Sequence, residues 1–176
     1  MTLEQAMYHV TIEVENSQCK GLEHMSKLGV NDCRLIDIRR LPNGSVRHLV
    51  RFPVSELGKA SDGRLRILKS SKGSSVLASF QTGGCNVCNT LLSQGAFLIS
   101  GKHLGGYRML YEFIAPGYEV FKQIVSTLEP LGFKPKILGL TKHEHKEGVL
   151  TEKQENVLWL ALKMGFFDYP RRISSR

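Results

Sequence analysis

The chain has 176 residues, with 24 lysines and arginines against 16 aspartates and glutamates, for a formal net charge of +8. That length suffices for one substantial core or two small ones. Its longest apolar run, VLWLALKMGFF, is too short and interrupted to span a bilayer, and MTLEQAMYHV lacks the basic region and apolar block of a secretion signal. A membrane partner is therefore not expected, and the cytoplasm is the expected location.

In chain order, MYHVTIEVE alternates and carries β-branched residues, which predicts a strand. CKGLEHMSKLG follows with Leu22, Met25 and Leu28 at helical spacing and Gly29 placed to stop the helix. DCRLIDIRRL and SVRHLVRF flank Pro42-Asn43-Gly44 and predict a hairpin. PVSELGKA predicts a short helix and RLRILKS another strand. The same order then recurs: SSVLASFQT a strand, CNVCNTLLSQ a short helix, AFLISGKHL and GYRMLYEFIA a hairpin, PGYEVFKQIVSTLEPLG a helix, and KPKILGLTKH a strand. The expected fold class is α+β, with two tandem ferredoxin-like (β-α-β-β-α-β) modules at 1–72 and 73–146 and a linker and C-terminal helix at 147–176.

Charge is uneven along this order. Between Arg34 and Lys72 ten lysines and arginines face three acids, a bias that attracts polyanions by counterion release or simply solvates a surface. Arg39 and Arg40 lie in this stretch. Tyr107, Tyr111 and Phe113 alternate on a predicted strand, a spacing that serves core packing or, less often, base stacking.

QTGGCNVC carries the clearest chemistry. Gly83-Gly84 permits a tight turn, which places Cys85 and Cys88 at a helix start, where free amides and the helix dipole favour thiolate. C-x-x-C suits a soft ion or a disulfide, yet supplies two of the four ligands that structural zinc prefers. Cys19 opens the corresponding helix of the first module. Packing of the modules about a pseudo-two-fold axis would bring Cys19, Cys85 and Cys88 together, with a fourth sulfur or a histidine, His143 or His145, completing a site for zinc, iron or copper. Cys33 is expected in a strand, as a small core residue. The C-x-x-C also looks like a thioredoxin active site, but without its tryptophan and proline. It is similar to soft-metal carrier domains too, with Gly83-Gly84 where those have Met-Thr.

The C-terminal run opens with Thr151-Glu152-Lys153-Gln154, a capping box. An apolar face of Val157, Leu158, Ala161, Leu162 and Met164 follows, and then GFFDYPRR. Leu150, Thr151, Gln154, Gly165, Phe166, Phe167, Asp168, Tyr169, Pro170, Arg171 and Arg172 resemble the start of the helix-turn-helix domain of the archaeal bacterio-opsin activator family. Cys19 and the C-x-x-C followed by GAFLIS resemble what members place upstream. The resemblance implies the sensory region of a DNA-binding transcription regulator plus the first helix of a truncated helix-turn-helix domain, whose groove-reading helices would follow. It further implies a homodimer matched to palindromic half-sites, and DNA contacted through the mostly missing domain. Arg171 and Arg172, with Arg39 and Arg40, are the expected non-specific contacts. No catalytic residue is expected. The competing readings are a thiol-disulfide or metal-transfer protein and a small-molecule-binding regulatory module.

Overall fold

The structure, a computed structural model, describes residues 6–59, 65–70, 74–143 and 152–163. Two compact units divide the chain, Met1–His143 and Glu144–Arg176.

In the first unit, alternation builds the strands. β1 (Met7–Glu15) buries Val10, Ile12 and Val14 completely and leaves Thr11 and Glu13 half-exposed on the other face. α1 (Lys20–Lys27) ends as expected at Gly29, whose φ of 72° lies in the left-handed region. β2 (Arg34–Arg40) and β3 (Val46–Pro53) form the hairpin, its turn closed by Leu41 N–H to Ser45 O at 2.8 Å and Ser45 N–H to Asn43 Oδ1 at 3.0 Å. The helix expected after Pro53 is instead a 3-10 turn, Val54–Lys59. β4 (Arg66–Ser70), β5 (Ser75–Thr82), α2 (Asn86–Ser93), β6 (Phe97–His103), β7 (Arg108–Ala115), α3 (Tyr118–Leu128) and β8 (Lys136–His143) complete the unit.

All eight strands join one antiparallel sheet in the order β4-β5-β3-β2-β6-β7-β1-β8. Two separate tandem modules are not confirmed. A β-α-β-β-α-β unit closed on itself would seat β1 between β3 and β4. Here β1 pairs with β7 and β8, while β5 pairs with β3 and β4. The reason is that β1 and β5 are interchangeable in pattern. Each buries three alternate residues, Val10-Ile12-Val14 and Val76-Ala78-Phe80, so alternation fixes which face is inward but not which slot is filled.

Strand pairing joins the halves at β2 and β6 through Arg34–Lys102 and Leu35–Gly101. Gly101 makes that approach possible, since a Cβ there would stand 3.0 Å from Leu35 Cβ. The helices lie on one face. α1 rests over β2, β3 and β5 through Met25, Leu35, Val50 and Phe80; α2 touches β2 and β6, and α3 covers β1 and β7.

In the second unit the described element is α4 (Glu152–Lys163). Of its predicted apolar face, Val157 and Leu158 are exposed and Ala161 is half-buried. The Thr151 cap and the GFFDYPRR turn lie outside the described residues. Among the described residues, no helix is long and apolar enough to cross a membrane.

Candidate thiol site

Two strand-to-helix turns converge at the middle of the sheet. After β1, Asn16 is wholly buried and donates its backbone N–H to Tyr107 O at 2.7 Å. Cys19 follows as the N-cap of α1, its Sγ accepting from Leu22 N–H at 3.4 Å. After β5, Thr82 Oγ1 accepts from Gly84 N–H at 2.9 Å. Gly84 has φ +75°, and a Cβ there would lie 2.7 Å from Val46 Cγ2, so only glycine lets the chain turn this tightly. Cys85 is then the N-cap of α2, and Cys88 sits one turn further on, 1% exposed.

These turns bring Cys19, Cys85 and Cys88 together. Cys85 Sγ accepts from Asn16 Nδ2 at 3.4 Å and lies near enough to the Cys19 and Cys88 thiols to couple to both electrostatically. These neighbours hold Cys85 far below the ordinary thiol range, against burial, which pushes it up. Cys19 and Cys88 move the opposite way, because each keeps its proton beside Cys85 and each is buried. The three sulfurs thus titrate as a coupled set rather than as independent groups, with the negative charge favoured on Cys85.

Asn16 also donates from Nδ2 to Tyr111 Oη at 3.2 Å, and burial, then the nearby sulfurs, raises Tyr111 well above the usual phenol value. Its Oδ1 has no hydrogen-bond partner among the described residues. His48, 2% exposed, stacks on Phe80 at 4.9 Å between centroids, and His24 stacks on the same ring at 4.4 Å. Burial lowers His48 to about 4, which the Cys85 charge partly opposes, so its ring is neutral at pH 7. Beside Cys19 a crevice of about 480 Å³, lined by Asn16, Glu23, Val30, His103 and Tyr107 among others, opens between α1 and the β6–β7 turn.

The other expected site residues are placed elsewhere. His143 pairs with Met7, at the far end of β1 from Asn16, about 30 Å away at strand rise; it does not join the sulfurs. Cys33 precedes β2, half-buried, with burial pushing its thiol up to about 12. Tyr111 and Phe113 point into the core, wholly buried, while Tyr107 is 57% exposed, so the three form no stacking platform. Arg39 and Arg40 project from opposite faces of β2: Arg39 pairs with Asp37 at 2.9 Å, whereas Arg40 bonds Asn89 of α2 at 3.2 Å. His145, Arg171 and Arg172 lie outside the described residues. Among the described residues, no group of three or more His, Cys, Asp or Glu side chains is arranged to hold a metal ion.

Sequence reasoning missed Asn16 and the Tyr111 hydroxyl. Neither sits in a spacing that announces chemistry. Asn16 is one polar residue after an alternating strand, and Tyr111 occupies an ordinary inward position on β7.

Residues 150–176 match the family model described as HTH DNA binding domain. That likeness, confined to the C-terminal end of the chain, suggests a DNA-binding transcription regulator. The domain is of the bacterio-opsin activator type, and the match lies wholly in the second unit. No curated protein matches the chain.

Proposed function

We propose that the first unit is the sensory part of a DNA-binding regulator and that it reads oxidants through Cys85, Cys88 and Cys19. The observation that carries this reading is the convergence of Cys19 and Cys85, the N-caps of two helices, with Cys88 one turn further on and buried Asn16 donating to Cys85 Sγ at 3.4 Å. A buried acceptor without a donor costs about 1–3 kcal/mol. Asn16 Oδ1 is such an atom among the described residues, so the polar cluster persists at an expense that packing alone would not require.

The chemistry balances with a peroxide as oxidant. The Cys85 thiolate attacks one peroxide oxygen; the O–O bond breaks, and the released hydroxide takes a proton to become water. The Cys88 thiol then displaces hydroxide from the Cys85 sulfenic acid, which leaves with a proton as water and closes a disulfide. Closure makes Cys85 Sγ a weaker acceptor for Asn16 and Cys19, which approach it from the α1 side, and so biases the packing of the two helix starts. We read the sheet as two ferredoxin-like halves that have exchanged first strands; this fold sets the two cysteine turns side by side. Pairing of two chains on palindromic half-sites belongs to the same reading. A soft metal held by the three sulfurs is its rival, and the absence, among the described residues, of any group of three or more side chains placed to hold a metal ion weighs against it.

Peroxide titration of the full chain, followed by thiol counting and intact mass, tests this. Loss of two thiols and two hydrogens is expected, abolished in Cys85→Ser and preserved in Cys33→Ser. Four thiols that stay unreactive in the native chain would overturn it.

A further inference from the structure

The face of the sheet opposite the helices is not chemically uniform. On β2 and β3, Arg34 stands opposite Arg51 and Arg39 opposite Arg47; across the seam Arg34 also stands opposite Lys102. Alternation assigns these side chains to the open face, because Leu35, Ile38, His48 and Val50 beside them are buried under the helices. Arg66 on β4, opposite Ser79, extends the group to the sheet edge. All six are exposed. Among the described residues the only acid paired with any of them is Asp37, which takes Arg39.

Like charges set directly opposite on neighbouring strands destabilise a sheet. Six cations with one acid are therefore not a device for folding; they await an anion that lies across several strands. The cations form two rows, Arg34–Arg51 with Lys102 and Arg39–Arg47. Four residues of β3 separate the rows, about 13 Å at strand rise, close to the roughly 12 Å width of the major groove between phosphate backbones. Arginine suits this task, since its planar fork binds phosphate oxygens in pairs.

We infer that this open face is a second docking surface for duplex DNA, gripping phosphates on both sides of a groove without reading bases. The choice of DNA as the polyanion rests on the reading of the chain as a DNA-binding regulator. The surface itself is independent of the thiol site and of residues 150–176. In this arrangement the sensory unit is itself held against the duplex.

The test is fluorescence anisotropy of the full chain on a short random-sequence duplex, across a salt series. Arg47→Glu/Arg51→Glu is expected to lower affinity at low salt at least about tenfold and to reduce the log–log salt slope by about 2. Lys27→Glu/Lys122→Glu makes the same charge change on α1 and α3, on the helix side, and should leave most of the affinity and slope. Equal losses in both would mean that net charge alone matters, and the inference fails. Should Arg171→Glu/Arg172→Glu abolish binding while the sheet variant matches wild type, the inference fails and the DNA-binding reading stands. If the wild-type chain shows no retention at low salt, both fall. Tighter retention of an RNA hairpin than of the duplex would also overturn it. Thermal melts confirm folding, and Arg47→Gln/Arg51→Gln, which removes the same two phosphate contacts and should lose about the same slope with a smaller drop in affinity, replaces the sheet variant if that one does not fold.

Discussion

The two halves of the sheet share an architecture and differ in how their outer faces treat charge. On β6, β7 and β1, Glu112 accepts from Ser100 Oγ at 3.1 Å and pairs with His9 at 2.8 Å, and Glu13 lies 3.7 Å from Arg108. Those three acid–base and acid–hydroxyl contacts each run between strands, and among the described residues only Lys102 at the seam belongs to the other pattern. On β2 and β3 arginine faces arginine. Backbone pairing tolerates both patterns, because the sheet is held by the buried face and its ladder. The outer face is left to be set by something other than folding.

The helix starts differ between the halves as well, and they offer the largest effect. Gly84→Ala places a methyl 2.7 Å from Val46 Cγ2 at φ +75°, so a loss of about 3–4 kcal/mol is expected in urea unfolding, from backbone strain plus overpacking. Gln18→Ala, just before the corresponding Cys19, removes only an exposed 3.1 Å bond to Asn86 and should cost less than about 0.5 kcal/mol. Similar losses at both positions would mean that the two turns are equivalent after all.

Titration separates the halves next. His48 has its folded value lowered from 6.5 to about 4, so the unfolded chain binds the extra proton in that window. Stability should fall as pH drops from 6.5 to 4, by roughly 3 kcal/mol for this group at most, and His48→Gln should remove that slope. At the other end Cys19, Cys88 and Tyr111 are all raised. The native state then keeps protons that the unfolded chain releases, and stability should fall as pH climbs above about 9. Cys85 works in the opposite sense: its depressed value contributes fully above the ordinary thiol range and is lost as pH falls through it. An alkylation rate for Cys85 that stays flat from neutral to mildly acid pH, where an ordinary thiol slows about tenfold per unit, checks the thiolate directly.

Much of this was legible in the sequence, for physical reasons that also mark where legibility stops. The period of two named the inward residues of β1, β3 and β5, and Pro42-Asn43-Gly44 and Gly29 marked the hairpin and the end of α1, because each is a local constraint. The exchange of β1 and β5 was not legible. Both strands offer the same alternation, and a slot in a sheet is a non-local choice. Cys19, Cys85 and Cys88 stood out because helix starts and C-x-x-C are local signals. His143 misled because module position was taken for nearness, whereas strand pairing sends it to the far end of β1. Arg39 and Arg40 misled in a smaller way, as neighbours on a strand never share a face.

The smallest effects bear most directly on the contrast between the outer faces, since they should differ in sign. Glu112→Gln removes the carboxylate shared by His9 and Ser100 on a half-exposed surface and is expected to cost about 0.5–1 kcal/mol. Arg51→Thr relieves repulsion with Arg34 and adds a β-branched residue. It should stabilise by about 0.5 kcal/mol, or 1–2 °C in melting temperature, at low salt, and by less as salt screens the pair. Duplex DNA should then reverse the ranking. A ligand stabilises in proportion to how tightly it is held, so wild type should gain more from the duplex than Arg51→Thr does. A variant that is less stable without DNA, or that gains as much with it, would show that these cations neither repel one another nor hold phosphate.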